Sequence, residues 1–176
     1  PAYGQHMVYA ALEGAAAGFV MGLSDEEIER GIAAYKTVGR RGVVTDTGFV
    51  TLVDDCYNAN PDSMRCAVDS LMKLPGRHVC VLSDMREMGE GSAQMHRELG
   101  EYALHKGVDL VMAYGPMSKH LTEAMGSRAV YFETKAALVA ALPEYIKKGD
   151  SVLVKASLGM HLEPAADAIK AMTGEK

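Results

Sequence analysis

From residue 5 to 22 the chain reads Q-H-M-V-Y-A-A-L-E-G-A-A-A-G-F-V-M-G, small and apolar on nearly every side. That pattern predicts a buried helix whose backbone is approached closely by its neighbours. Ser24-Asp25-Glu26-Glu27 is a capping box, so a second helix is expected from about 25 to Lys36. Two helices alone cannot bury so apolar a surface, and the first ~40 residues are expected to be the tail of another domain. After Gly39-Arg40-Arg41-Gly42 the apolar period shortens from helical to alternating. Strands at 43–46 and 49–54, joined by T-D-T-G, then read as a β-hairpin.

Beyond that hairpin strands and helices alternate, with helices at 61–74, 92–106, 118–125, 134–147 and 160–172 and strands at 78–83, 109–114, 129–132 and 151–155. V-C-V-L, L-V-M-A and V-L-V-K are continuous apolar runs, as strands are when both faces of a sheet are covered. The order predicts an α/β fold, a doubly wound and mostly parallel sheet flanked by helices and joined by right-handed crossovers. Ligands in such a fold belong at the carboxyl ends of the strands.

One such end is followed by D-D-C-Y-N-A-N-P-D-S-M at 54–64. Asn60-Pro61 suits an N-cap and a first helical residue. Capping uses one asparagine and leaves Asp55, Tyr57 and Asn58 without a structural task. A carboxylate at a strand tip holds ribose hydroxyls, an aromatic packs on a base or sugar, and amides pair with a ligand's polar groups, so the stretch reads as a nucleotide or peptide rim. Ser83-Asp84-Met85-Arg86-Glu87-Met88-Gly89-Glu90 and Lys155-Ala156-Ser157-Leu158-Gly159-Met160 arrive at the same edge. A lysine at the end of a buried strand calls for an anionic partner.

Composition narrows the function classes. The chain is 48% hydrophobic with a net charge of -5, and no long run of like charge suggests a nucleic-acid partner. Cys56, Cys66 and Cys80 are odd in number, lack C-x-x-C spacing and sit in segments read as buried, which predicts free thiols in a reducing cytoplasm. No membrane span or signal peptide is read, and the histidines show no metal-ligand spacing.

With these residues in view, the chain resembles the Mur ligases of bacterial peptidoglycan synthesis. Residues 54–64 are similar to the family signature D-D-x-Y-N-A-N-P-x-S-M, carried by the members that add a dipeptide. Residues 83–90 resemble its G-D-M-x-E-L-G-E loop, with His96 at the histidine that follows, and Lys155-Ala156-Ser157 resembles its K-G-S element. Gly4-Gln5-His6 is similar to the G-x-H that opens a helix of the central domain, and Val38-Gly39-Arg40 to the joint between domains.

The resemblance implies a Rossmann-like carboxy-terminal domain over 39–176, preceded over 1–38 by the last helices of a central ATPase domain. It implies ATP and Mg²⁺ as cofactors, with the amino-terminal and central domains as partners outside this stretch. The implied reaction phosphorylates the terminal carboxylate of UDP-N-acetylmuramoyl-tripeptide and lets the amine of D-alanyl-D-alanine displace phosphate. On the nucleotide side it places His6, Arg40, Asp55, Tyr57 and Asn58, with Asp55 meeting the ribose and Arg40 reaching the phosphates on domain closure. On the dipeptide side it places Asn60, Ser63, Asp84, Lys155 and Ser157, with Arg40 and Lys155 as the catalytic cations. No G-x-x-x-x-G-K-[ST] occurs, so these residues alone are not expected to hydrolyse ATP. Met7 and Ala10 stand where the family has asparagines, Ser83 and Ala156 where it has glycines, and Leu158 near a usual basic position. Two other readings stay open: a sister ligase adding a single amino acid, and a non-catalytic nucleotide-binding module.

Overall fold

A computed structural model describes residues 6–37 and 39–173; Gly4, Gln5, Val38 and the side chain of His6 lie outside the described set. The helices are α1 (His6–Val20), α2 (Asp25–Ala33), α3 (Pro61–Leu71), α4 (Ser92–Lys106), α5 (Ser118–Met125), α6 (Lys135–Tyr145) and α7 (Glu163–Lys170). The strands are β1 (Val43–Asp46), β2 (Thr51–Asp55), β3 (His78–Ser83), β4 (Leu110–Tyr114), β5 (Ala129–Phe132) and β6 (Ser151–Lys155). They form one sheet of order β1-β2-β6-β3-β4-β5, in which β1 runs antiparallel to β2 and every other pairing is parallel.

The continuous apolar strands are buried on both sides, as their composition requires. Val53, Cys80, Leu82 and Leu153 face a core shared with α3, α4 and α5, whereas Leu52, Val79, Val81, Val152 and Val154 face one shared with α6 and α7. Removing each such aliphatic side chain from water contributes roughly 1.5–3 kcal/mol. Gly100 lets α4 cross α5 closely, because a Cβ there would run into the Leu121 carbonyl.

The expectation that the first helix is buried is corrected. Val8, Tyr9, Leu12, Phe19, Val20 and Met21 are exposed, and among the described residues α2 is the one element packed closely against α1. The capping box is present, with Glu27 N–H donating to Ser24 Oγ and Ser24 N–H to Glu27 Oε2, but α2 ends at Ala33 rather than Lys36. Cys66 is exposed, against the expectation that all three thiols lie in buried segments. Burial pushes the Cys80 thiol up to about 12 and the Cys56 thiol upward as well, which keeps both protonated. No described helix is long and apolar enough to cross a membrane.

Candidate functional site

The parallel register of β2 and β6 sets their last residues, Asp55 and Lys155, side by side. After β6 the chain turns to α7 on one face of the sheet, while after β2 and β3 it turns to α3 and α4 on the other. Loops that part in opposite directions leave a crevice at the strand tips. The crevice is a depression of about 390 Å³. Asp55, Tyr57, Asn58, Asn60, Ser63 and Lys155 line it, joined by Arg41, Asp62 and Cys66.

Lys155 is 2% exposed, and its Nζ donates to Asp55 Oδ2 and to the Asn58 carbonyl, both at 2.6 Å. The lysine thereby fixes both the strand tip and the loop that follows it, which is the partner its position demanded. Asn60 is the N-cap of α3: its Oδ1 accepts from Ser63 N–H at 2.8 Å, and Ser63 Oγ accepts from Asn60 N–H at 3.1 Å. Asn60 Oδ1 and Ser63 Oγ, on the residues that line the depression, are thus already engaged in the cap. Asn58 Oδ1 accepts from Ala59 N–H, and no partner is recorded for its amide nitrogen among the described residues.

Arg40 does not line the depression. Its guanidinium donates to buried Asp54 at 3.0 Å, to both oxygens of Asp167 at 2.7 and 2.9 Å, and to the Glu163 carbonyl. Lys170 supplies Asp54 Oδ2 with a second cation at 2.9 Å, while Asp54 Oδ1 is buried with no hydrogen-bond partner among the described residues. The next residue, Arg41, turns the other way and lays its guanidinium 3.7 Å from the Tyr57 ring centroid. Sequence reasoning passed over Arg41, and nothing local to two adjacent arginines says which one turns inward.

Asp84 and Ser157 are also outside the depression. Asp84 is buried, and its Oδ1 accepts from the N–H and the hydroxyl of Ser118, both at 2.7 Å, at the start of α5. Ser157 Oγ accepts from Arg86 N–H at 2.9 Å and donates to the Ala59 carbonyl, joining the three loops that follow β2, β3 and β6.

His96 is buried beneath the same loops. Its Nε2 accepts from Met85 N–H at 2.9 Å, which requires the neutral ring with the proton on Nδ1, donated to the Ser92 carbonyl. Burial holds its pKa below the ordinary 6.5. Below that ordinary value the unfolded chain therefore binds a proton that the folded chain refuses, and stability falls with pH until the lowered folded value is passed. In urea unfolding of this chain between pH 7.5 and 5.5, the midpoint should drop toward acid, and His96→Gln should flatten the drop.

A hollow of about 290 Å³ between α1 and α2 is lined by Met7, Ala10, Leu23, Ile28 and Ile32 among others. It is apolar, and Met7 and Ala10, which stand where the resembled family has asparagines, bring no amide to it.

The family described as Mur ligase, glutamate ligase domain, matches residues 39–158. The UDP-N-acetylmuramoyl-tripeptide–D-alanyl-D-alanine ligase of Bacillus subtilis (strain 168) is 33% identical over 172 residues, covering 93% of this chain and 37% of the relative. Among solved structures, the UDP-N-acetylmuramoylalanyl-D-glutamyl-2,6-diaminopimelate–D-alanyl-D-alanyl ligase of Acinetobacter baumannii superposes with a TM-score of 0.86 at 29% identity, over 95% of this chain and 37% of that one. MurF ligase from Thermotoga maritima in complex with ADP superposes with a TM-score of 0.76 at 28% identity, over 88% of this chain and 35% of that one. The chain spans between 35% and 37% of the length of these relatives.

Proposed function

The chain belongs to the Mur ligase family, and from that membership we propose that it is part of an ATP-dependent ligase that adds D-alanyl-D-alanine to UDP-N-acetylmuramoyl-tripeptide in the cytoplasm. The observation that carries this reading is the depression built by residues 54–64 against Lys155, at the edge where a doubly wound sheet receives its ligand. The Bacillus subtilis relative is named for that reaction, and the Thermotoga maritima relative for its complex with ADP.

In this reading residues 39–176 form the family's carboxy-terminal domain, and 1–38 close a central domain that carries the P-loop. The start of the family match at 39 supports the boundary, and so does the exposed apolar surface of α1. ATP supplies the phosphoryl group that turns the tripeptide carboxylate into an electrophile. This chain's share of the work is to seat and orient. Asp55, 21% exposed and anchored through Oδ2 to Lys155, offers a fixed carboxylate to the ribose hydroxyls, while the Asn58 amide is available to the nucleotide or the dipeptide. Lys155 acts as a positioning residue, since the two contacts of its ammonium hold the rim's shape. The described residues hold no cluster of three His, Cys, Asp or Glu side chains suited to a metal.

The test uses the intact parent enzyme with ATP, Mg²⁺ and UDP-N-acetylmuramoyl-tripeptide, measuring phosphate release with D-alanyl-D-alanine or single amino acids in separate reactions. Release that depends on the dipeptide is expected. Release that depends on a single amino acid would assign a sister ligase, and none from folded protein would leave a nucleotide-binding module.

A further inference from the structure

Among the described residues two cations line the depression, Arg41 and Lys155. Lys155 is committed to Asp55 and the Asn58 carbonyl. Arg40, the arginine that family resemblance assigns to the phosphates, is outside the depression and held by Asp54, Asp167 and the Glu163 carbonyl. Among the described residues no carboxylate comes within 4.0 Å of the Arg41 guanidinium, Asp62 on the same rim included. Arg41 is therefore the cation lining the depression whose charge and donors are unspent.

Its position is also set. The guanidinium lies over Tyr57 at 3.7 Å, a cation–π contact that holds the plane of the fork without using its N–H groups. The stack covers one face of the Tyr57 ring, so that face is closed to a nucleotide base. What a planar guanidinium with free donors binds is an oxyanion, two oxygens at a time. Asp55 on the same rim is the group proposed for the ribose, and the oxyanion covalently nearest a ribose is the nucleotide's own phosphate.

We infer that Arg41, clamped on Tyr57, is a phosphate-binding residue of this site and completes the nucleotide rim begun by Asp55. The inference rests on the reading of the depression as a nucleotide site, and it gives Arg41 a role separate from that of Arg40. With Arg40 tied into the fold, Arg41 is positioned to take the phosphate before any domain closure.

The test is calorimetric titration of ADP and of adenosine into the intact parent enzyme, as wild type, Arg41→Met, Arg41→Lys and Tyr57→Leu. Arg41→Met should weaken ADP about tenfold and leave adenosine unchanged, because one charge-assisted contact to phosphate is lost. Arg41→Lys should recover part of the loss through charge alone. Tyr57→Leu, which keeps the charge and removes its platform, should weaken ADP by a smaller factor. ADP affinity within twofold of wild type in Arg41→Met overturns the inference. So does a rise in the KM for D-alanyl-D-alanine with ADP binding intact, which would assign Arg41 to the dipeptide carboxylate. A wild-type enzyme that binds neither ADP nor adenosine would overturn the nucleotide reading itself, a result separate from any behaviour of the variants.

Discussion

Asp55→Asn lowers the unfolding free energy of this chain by about 3 kcal/mol, the scale for breaking a buried ion pair from one side, whereas Lys155→Met costs about 1 kcal/mol. The asymmetry follows from where each charge sits. The Lys155 side chain is 2% exposed and that of Asp55 is 21% exposed. Without the carboxylate, the ammonium stays in the protein with two neutral acceptors, the Asn58 carbonyl and the new side-chain amide. Without the lysine, Asp55 turns its freed oxygen to water, and methionine refills most of the apolar volume of the lysine stem on the face of the sheet that Leu153 shares. Urea unfolding with an unchanged m-value measures both. An equal or larger loss for Lys155→Met would show that the ammonium contributes more as a tether for the 56–60 loop than as a charge needing neutralisation.

The sheet was legible where the pattern was unambiguous. The strands at 78–83, 129–132 and 151–155 and the helices at 92–106 and 118–125 form over the residues their periodicity indicated. Helix ends were less so. The expected 160–172 helix begins at Glu163, because residues 158–160 form a 3₁₀ turn first and Pro164 suits only an opening turn. The 61–74 helix stops at Leu71, short of Pro75.

The site divides in the same way. Its rim is local in sequence, and six of its lining residues were named from the 54–64 segment and Lys155. What no local pattern carries is the pairing across 100 positions of Asp55 with Lys155, which exists because β6 returns to lie between β2 and β3. Nor does a local pattern distinguish Arg40 from Arg41. That choice is made by Asp54 and Asp167, the latter 127 positions away, which draw one guanidinium onto α7 and leave the other to the depression.

Asp84 shows how a residue with the look of a ligand contact can be spent on the fold, and Asp84→Ala is expected to cost about 3 kcal/mol. Its carboxylate accepts from Ser118 N–H and Oγ at 2.7 Å and from Met117 N–H at 3.3 Å, so it satisfies the first turn of α5 from a strand tip 34 positions earlier. Ser118 is fully buried, and alanine at 84 would leave its donors without water or protein to accept them. The chain has adapted its backbone to this contact. Gly115 takes φ 117°, and a Cβ there would collide with the Asp84 carboxylate. Asp84→Asn keeps one acceptor and should cost about half as much. The two variants also separate structure from ligand binding. If Asp84 serves α5, both lose thermal stability in that order, and in the proposed ligase reaction of the parent protein the KM for D-alanyl-D-alanine stays put at temperatures where Asp84→Asn is folded. A raised KM with the melting temperature unchanged would return Asp84 to the dipeptide side of the site.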